Sequence, residues 1–254
     1  MKTHLMAMIS VAVAGLLPAA APGQDATDGG WHYLVQPYAM FPNMKGETGI
    51  ANLPPVQIDE NPGDIFSNLQ MGAMLFAEAR NERWAFSSDL LYMDLGADVK
   101  PTGIVTQGSS DVSQLGWELA AMRRLTPWFE LGVGMTYNKL DASVKITTRT
   151  LLGTTDRKAG LTEDWIDPTI VMRATFPINE KWFAQARGNV GGFGVGSDLM
   201  WQLQVDVTYR TSDRWSFAAG YRIIDIDYDQ GKDAGRFLYD VRTFGPVLKL
   251  GYSF

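Results

Sequence analysis

The chain contains no cysteine. Disulfides, thiolate metal sites, cysteine nucleophiles and a lipid anchor on cysteine are therefore excluded. Histidine is nearly absent, with His4 and His32 the two instances. A bundle of membrane helices would need several apolar runs of ~20 residues, and the mean hydropathy of −0.09 excludes it. Positive charge is in deficit. The 22 Lys and Arg face 28 Asp and Glu, for a net charge of −6 and a pI of about 5.0. No basic patch argues for nucleic acid.

What is present is alternation. Hydrophobic residues make up 46% of the 254 and the mean hydropathy is −0.09. A membrane β-barrel has such averages, because its strands alternate apolar and polar residues. Aromatics at 11%, with 8 Trp, and the 26 Gly lean the same way. Residues 1–21 have the pattern of a secretory signal peptide: Lys2, an apolar stretch from Leu5 to Leu17, Pro18, then Ala19-Ala20-Ala21 as a small-residue cleavage site. Its removal takes Lys2 away and shifts the net charge from −6 to −7. The expected organisation is 1–21 signal peptide and 22–254 barrel domain, in a Gram-negative envelope.

Trp31 to Phe41 has a strand pattern, with Pro37 as a point of irregularity. Pro42 to Asn68, rich in Gly and Pro, has the composition of a long loop, ending in a helical turn capped by Asp64. A unit then repeats: strand, tight polar turn, Trp, strand. The four junctions are Asn81–Trp84, Leu125–Trp128, Asn179–Trp182 and Ser212–Trp215. Alternating faces flank them, clearest in Trp201, Leu203, Val205, Val207 and Tyr209, and in Trp215, Phe217, Ala219, Tyr221 and Ile223. Long polar loops are expected at the other ends: Gly96–Ser110, Ser143–Glu163, Gly191–Asp198 and Asp225–Arg236.

Four short turns join eight strands, and the first and last segments make ten, with eight as the alternative. The nine residues Trp215–Ile223 span about 30 Å at ~3.3 Å each. Tilted by about 40°, they cover ~23 Å, close to the apolar band of an outer-membrane barrel. Trp31, Trp84, Trp128, Trp182 and Trp215 would form an interfacial girdle. The same face of the strand turns acidic at Asp225, Asp227 and Asp229, where it leaves the lipid.

Residues of opposite parity face the lumen. They include Glu78, Asp89, Glu118, Glu130, Asp167 and Asp206, with Arg173, Arg187, Arg210, Arg222 and Lys249. Acids dominate up to about residue 167 and bases after it. Unpaired buried charge is costly, so these groups are expected to pair across a narrow lumen and fill it. The alternative is a transverse field across a small aqueous pore, a narrow porin-like channel for small solutes.

Nothing marks a catalytic centre. His4 leaves with the signal peptide and His32 starts the first strand, at the short-turn end, so no histidine serves the outer end as a general base. Gly191 to Gly196 (GGFGVG) lacks the βαβ frame of a dinucleotide loop and fits a glycine hairpin at the outer rim. Asp225-x-Asp227-x-Asp229 departs from a calcium loop, with Gly231 one position late and Arg236 where Glu belongs. No metal site and no cofactor are expected.

Three stretches resemble a group of proteobacterial outer-membrane β-barrel proteins without an assigned activity, grouped loosely with OmpA-like and porin-family barrels. They are Trp165-Ile166-Asp167-Pro168 with Arg173, then Gly191 to Asp198 (GGFGVGSD), then Gly220-Tyr221-Arg222. The likeness runs from about Trp31 to Phe254 and implies an antiparallel up-and-down transmembrane β-barrel in the cell outer membrane. The stretch TFGPVLKLGYSF, from Thr243 to Phe254, is similar to the closing strand of such barrels. There an aromatic-x-aromatic ending, here Tyr252 and Phe254, is an assembly signal. The implied partners are outer-membrane lipid, lipopolysaccharide and the barrel assembly machinery. Asp167, Arg173 and Arg222 share the lumen side and would form a buried ion network. The expected role is non-enzymatic, structural or surface-interacting; oligomeric state is left open.

Overall fold

The period-two patterns do form strands, and the strands close on themselves. The computed structural model describes residues 30–50, 54–98, 105–150, 153–233 and 236–254. The signal-peptide segment 1–21 lies outside them. In chain order the elements are β1 (His32–Met40), β2 (Asn43–Ile50), β3 (Val56–Glu60), α1 (Pro62–Asn68), β4 (Leu69–Arg80), β5 (Trp84–Asp98) and β6 (Val105–Thr126). They continue with β7 (Phe129–Thr150), β8 (Gly153–Pro177), β9 (Trp182–Gly192), β10 (Leu199–Arg210), β11 (Trp215–Gln230) and β12 (Phe237–Ser253). β1 pairs with β4, consecutive strands pair from β4 to β12, and β12 pairs back to β1. All pairings are antiparallel, so this is a closed ten-stranded barrel. Closure leaves no open edge among these strands. No helix among the described residues is long and apolar enough to cross a membrane.

The segment expected as a long loop is largely strand. β2 continues β1 along β12 in a single register, from Leu34–Ser253 through Met40–Val247 and Asn43–Phe244 to Ile50–Phe237. The physical reason is the partner: β12 runs on past the end of β1 and offers free backbone groups, which β2 satisfies. At the joint, a Cβ on Gly245 would lie 2.0 Å from the Phe41 carbonyl oxygen, so only glycine lets the strands meet there. Pro37 has no N–H, and the β1–β12 ladder is interrupted at Gln36 and Pro37, between the Val35–Tyr252 and Tyr38–Lys249 pairs. β3 folds back on β2, and α1 follows. Its cap is Asn61, not Asp64. The Asn61 side chain accepts from the Gly63 and Asp64 amides, while Asp64 reaches back to the Asn61 amide.

The other expected loops are also shorter. Paired strand reaches Asp98 in β5 and Gln230 in β11, and β7 and β8 stay paired out to Thr150–Gly153. Residues 99–104, 151–152 and 234–235 of those segments lie outside the described residues. The turn Gly191–Asp198 joins β9 and β10 as a hairpin. The rim is therefore uneven: β8 has 25 residues and its neighbour β9 has 11.

The strands persist because their amphipathic sense inverts. On β11, outward Trp215, Phe217 and Tyr221 are exposed, and inward Arg222 is buried. Beyond Ile223 the outward residues are Asp225, Asp227 and Asp229, and inward Ile226 and Tyr228 are buried at 4% and 7% exposure. β12 does the same, with outward Asp240 and Arg242 against buried Tyr239 and Val241. The lower barrel thus has an apolar exterior and a polar interior. The upper barrel has a polar exterior around a core of Met44, Ile65, Met93, Leu140, Trp165, Met200, Ile226, Tyr228, Phe237, Tyr239 and Val241.

Candidate functional site

Charged side chains fill the middle of the lumen, and every barrel strand supplies at least one partner in the hydrogen-bonded layer. Arg222 on β11 lies 3.0 Å from Asp89 on β5, donates to Tyr38 Oη of β1 at 2.9 Å and to Gln202 Oε1 of β10 at 2.8 Å. Tyr38 in turn donates to Asp89 at 2.8 Å. Gln202 Nε2 donates to Glu118 of β6 at 2.7 Å. Glu118 also accepts from Arg187 and Asn189, both on β9. Arg187 reaches Ser87 at 3.1 Å. Nearer the short turns, Arg173 on β8 bridges Glu78 on β4 and Glu130 on β7. Arg80 Nη2 joins Glu130 at 2.7 Å, and Arg124 stands 3.6 Å from it. Lys249 on β12 bonds Asp206 on β10 at 3.1 Å. The acids Glu78, Asp89, Glu118 and Glu130 occupy the β4–β7 arc, and Arg173, Arg187, Arg222 and Lys249 occupy β8–β12. The asymmetry along the chain becomes charge facing charge across the lumen.

Two of the sequence-derived lumen residues are on the lumen side but stand apart from the ion layer. Arg210 is exposed at the short-turn rim, its guanidinium 5.9 Å from the Phe183 ring centroid. Asp167 is fully buried but is not joined to Arg173 or Arg222. Its carboxylate accepts from Asn138 Nδ2 at 3.0 Å, Trp165 Nε1 at 3.0 Å, the Ser197 amide at 2.6 Å and Ser197 Oγ at 2.9 Å. Its donors are neutral because Asp167 sits above the ion layer, beside the hairpin that ends at Asp198. That hairpin turns through Gly192, Phe193 and Gly194 at φ of 86°, 52° and 72°. A Cβ on Gly196 would meet the Ile166 carbonyl oxygen at 2.5 Å. The Trp-Ile-Asp-Pro and Gly-rich stretches are thus two halves of one docked turn.

The lumen is divided by the ion layer. On the short-turn side a cavity of about 210 Å³ is lined by charged groups including Glu78, Arg173, Asp206 and Lys249. On the other side a cavity of about 570 Å³ opens above the layer, with Met44, Ile65, Met93, Leu140, Phe237 and Tyr239 in its wall. No residue lines both. The sequence reading missed the upper cavity. The signal was there at Ile223 to Asp229, where the outward face turns acidic while the inward residues Ile224, Ile226 and Tyr228 become apolar.

The five girdle tryptophans, Trp31, Trp84, Trp128, Trp182 and Trp215, are all exposed at the short-turn end. Neighbouring aromatics extend them: Trp182 lies 4.8 Å from Tyr209, Trp215 4.8 Å from Tyr252, and Trp128 5.8 Å from Phe176. Among the described residues no cluster of His, Asp and Glu has the grouping to hold a metal ion.

No protein-family model and no curated protein matches the chain. Among solved structures, the outer-membrane protease OmpT of Escherichia coli superposes with a TM-score of 0.57 at 10% identity, over 91% of this chain and 99% of that one. A FadL homologue of Pseudomonas aeruginosa gives 0.36 at 9% identity, covering 88% and 90% of the two chains. The attachment invasion protein Ail of Yersinia pestis gives 0.33 at 10% identity, covering 90% and 100%. The last two scores are too low to carry an argument. The OmpT match shows a shared fold and, at that identity, nothing more: this chain is a closed β-barrel with the architecture of an outer-membrane protein.

Proposed function

We propose that this protein is a non-enzymatic outer-membrane barrel that does not conduct, serving a structural or surface-interaction role. The observation that carries the reading is the ion layer, which meets from all ten strands and leaves the cavities on its two sides with no shared lining residue. An ion crossing it would have to break buried pairs, and each loss strands a charge at a cost of several kcal/mol. The apolar lower exterior is the surface for outer-membrane lipid. Tryptophans beside the short turns suit its periplasmic interface, because their rings are apolar and their N–H groups seek water. On this reading residues 1–21 direct export, the barrel assembly machinery inserts the chain, and the acidic upper rim meets the lipopolysaccharide layer.

The test is conductance of the refolded protein in planar bilayers. A flat baseline with occasional noise is expected. Steady unitary steps in the unmodified protein would overturn the reading in favour of a narrow channel for small solutes.

A further inference from the structure

The upper lumen is built against water. A vestibule that merely drained to solvent would leave apolar side chains wet, at about 25 cal/mol for each Å². Here the wall above the ion layer draws Met44 from β2, Ile58 from β3, Ile65 from α1, Met93 and Leu95 from β5, and Leu140 from β7 into one cavity of about 570 Å³. That volume falls within the ~300–1,000 Å³ of small-ligand pockets. The cavity lies in a barrel wall that is hydrogen-bonded on nearly every side, which pre-forms it. The exception is the side between β3 and β5, where β3 has β2 as its one partner strand among the described residues and α1 fills the wall with buried Ile65.

The polar groups of the lining say what the occupant lacks. Gln114 Nε2 donates to Tyr239 Oη at 3.2 Å, so the polar atoms deep in the cavity serve each other. None of the buried side-chain atoms without a hydrogen-bond partner belongs to the described lining. The deep wall around the Gln114–Tyr239 pair is apolar, with Met93, Leu140 and Phe237 beside it. The charged members of the lining are Glu60 and Asp64, and no Lys, Arg or His is among its described residues. A carboxylate or phosphate head would meet like charge with no base to receive it.

We infer that the upper cavity is a binding site for an apolar small molecule that carries no negative charge. The site does not depend on the closure of the lumen below it: a conducting barrel would overturn the function proposed above and leave this inference standing.

The experiment is equilibrium dialysis of the full barrel in lipid nanodiscs against naphthalene, with empty nanodiscs subtracted. Saturable uptake of one naphthalene per barrel is expected. Naphthalene-2-carboxylate should bind at least about tenfold more weakly, the factor that ~1.4 kcal/mol produces. Two cavity-filling variants, Ala142→Trp and Val112→Phe, should each weaken naphthalene by about tenfold or more. Leu203→Trp, on the exposed outer face, should leave uptake unchanged. Heat-modifiable gel migration identifies the variants that fold, and either filling variant suffices. Absence of saturable uptake, equal binding of the carboxylate, or naphthalene binding undiminished in a folded filling variant would each overturn the inference.

Discussion

Asp89 and Arg222 lie 3.0 Å apart across the lumen, on strands separated in the wall by β12, β1 and β4. Both are buried, at 6% and 5% exposure. The pair is thus a cross-brace between opposite sides of the barrel, and its energetics differ from those of a surface bridge. Removing one partner leaves a buried charge, typically at about 3–5 kcal/mol, whereas removing both can be neutral. Arg222→Met should therefore lower unfolding stability in lipid vesicles by about that amount. Asp89→Leu in the same chain should recover most of it. Urea unfolding of the single and double variants measures the coupling, and strictly additive losses would show that the pair is not a unit.

Asp167 gives the second prediction. Asp167→Ala leaves three buried donor groups, Asn138 Nδ2, the Ser197 amide and the Ser197 hydroxyl, without their acceptor, each worth about 1–3 kcal/mol. Trp165 Nε1 still donates to Ser197 Oγ at 2.9 Å and is the least affected. The damage should be local to the Gly192–Asp198 turn. Hydrogen exchange at the Ser197 amide should accelerate strongly, with little change at Val205 in the lower part of β10. An unchanged Ser197 rate would show that the turn is held by its own geometry.

How much of this was legible in the sequence depends on where each residue sits relative to the membrane belt. Trp215 to Ile223 alternates cleanly, because lipid lies on one side and paired charge on the other, so strand, register and lumen residues follow from parity alone. The four Trp-flanked turns gave the strand count for the same reason. Beyond Ile223 the rule reverses, and Asp225, Asp227 and Asp229 looked like the start of a loop when they are the wet face of a continuing strand. β2 was hidden differently. Asn43–Ile50 contains Gly46 and Gly49 and has little strand character; it is strand because β12 presents an unpaired edge. Tyr38 and Gln202 joined the ion layer unseen, since a neutral side chain carries no mark of the charge it will meet. Asp167 was placed correctly on the lumen side, but parity says nothing of height, and its height gave it neutral donors.

The upper rim should respond to pH. Burial raises the Asp227 pKa above the usual carboxylate range, helped by the carboxylates of Asp240, Asp198, Asp229 and Asp225. Asp240 is its ladder partner on β12. A carboxyl whose folded pKa is raised binds more protons folded than unfolded, so stability falls as pH rises through the interval between its two values. The tip of β11 and β12 should thus be tighter near the raised Asp227 value than at pH 7. Asp229 works the other way, because its hydrogen bond with Arg236 lowers its pKa, and its contribution is lost only at lower pH. Asp227→Asn should increase protection of the Tyr228 amide at pH 7, after correction for intrinsic exchange, and remove the gain on mild acidification. Protection that improves steadily with rising pH in the unmodified protein would contradict this sign.

Tyr33 and Phe254 form the last rung of barrel closure. The Phe254 amide donates to the Tyr33 carbonyl at 3.0 Å, the Tyr33 amide returns the bond at 2.9 Å, and the rings stack at 5.5 Å. Two roles are superposed in Phe254: a backbone rung and an aromatic side chain. Phe254→Ala keeps the rung and loses the ring; deletion of Phe254 loses both. If the ring is an assembly signal read by cellular machinery, Phe254→Ala should refold into vesicles at close to the unmodified yield and yet reach the outer membrane poorly in cells. Deletion should be impaired in both settings, because the closing hydrogen bonds are needed wherever the barrel forms. The readout is the fraction of heat-modifiable protein in each case. Normal cellular assembly of Phe254→Ala would remove the signal role and leave Phe254 as a rung alone.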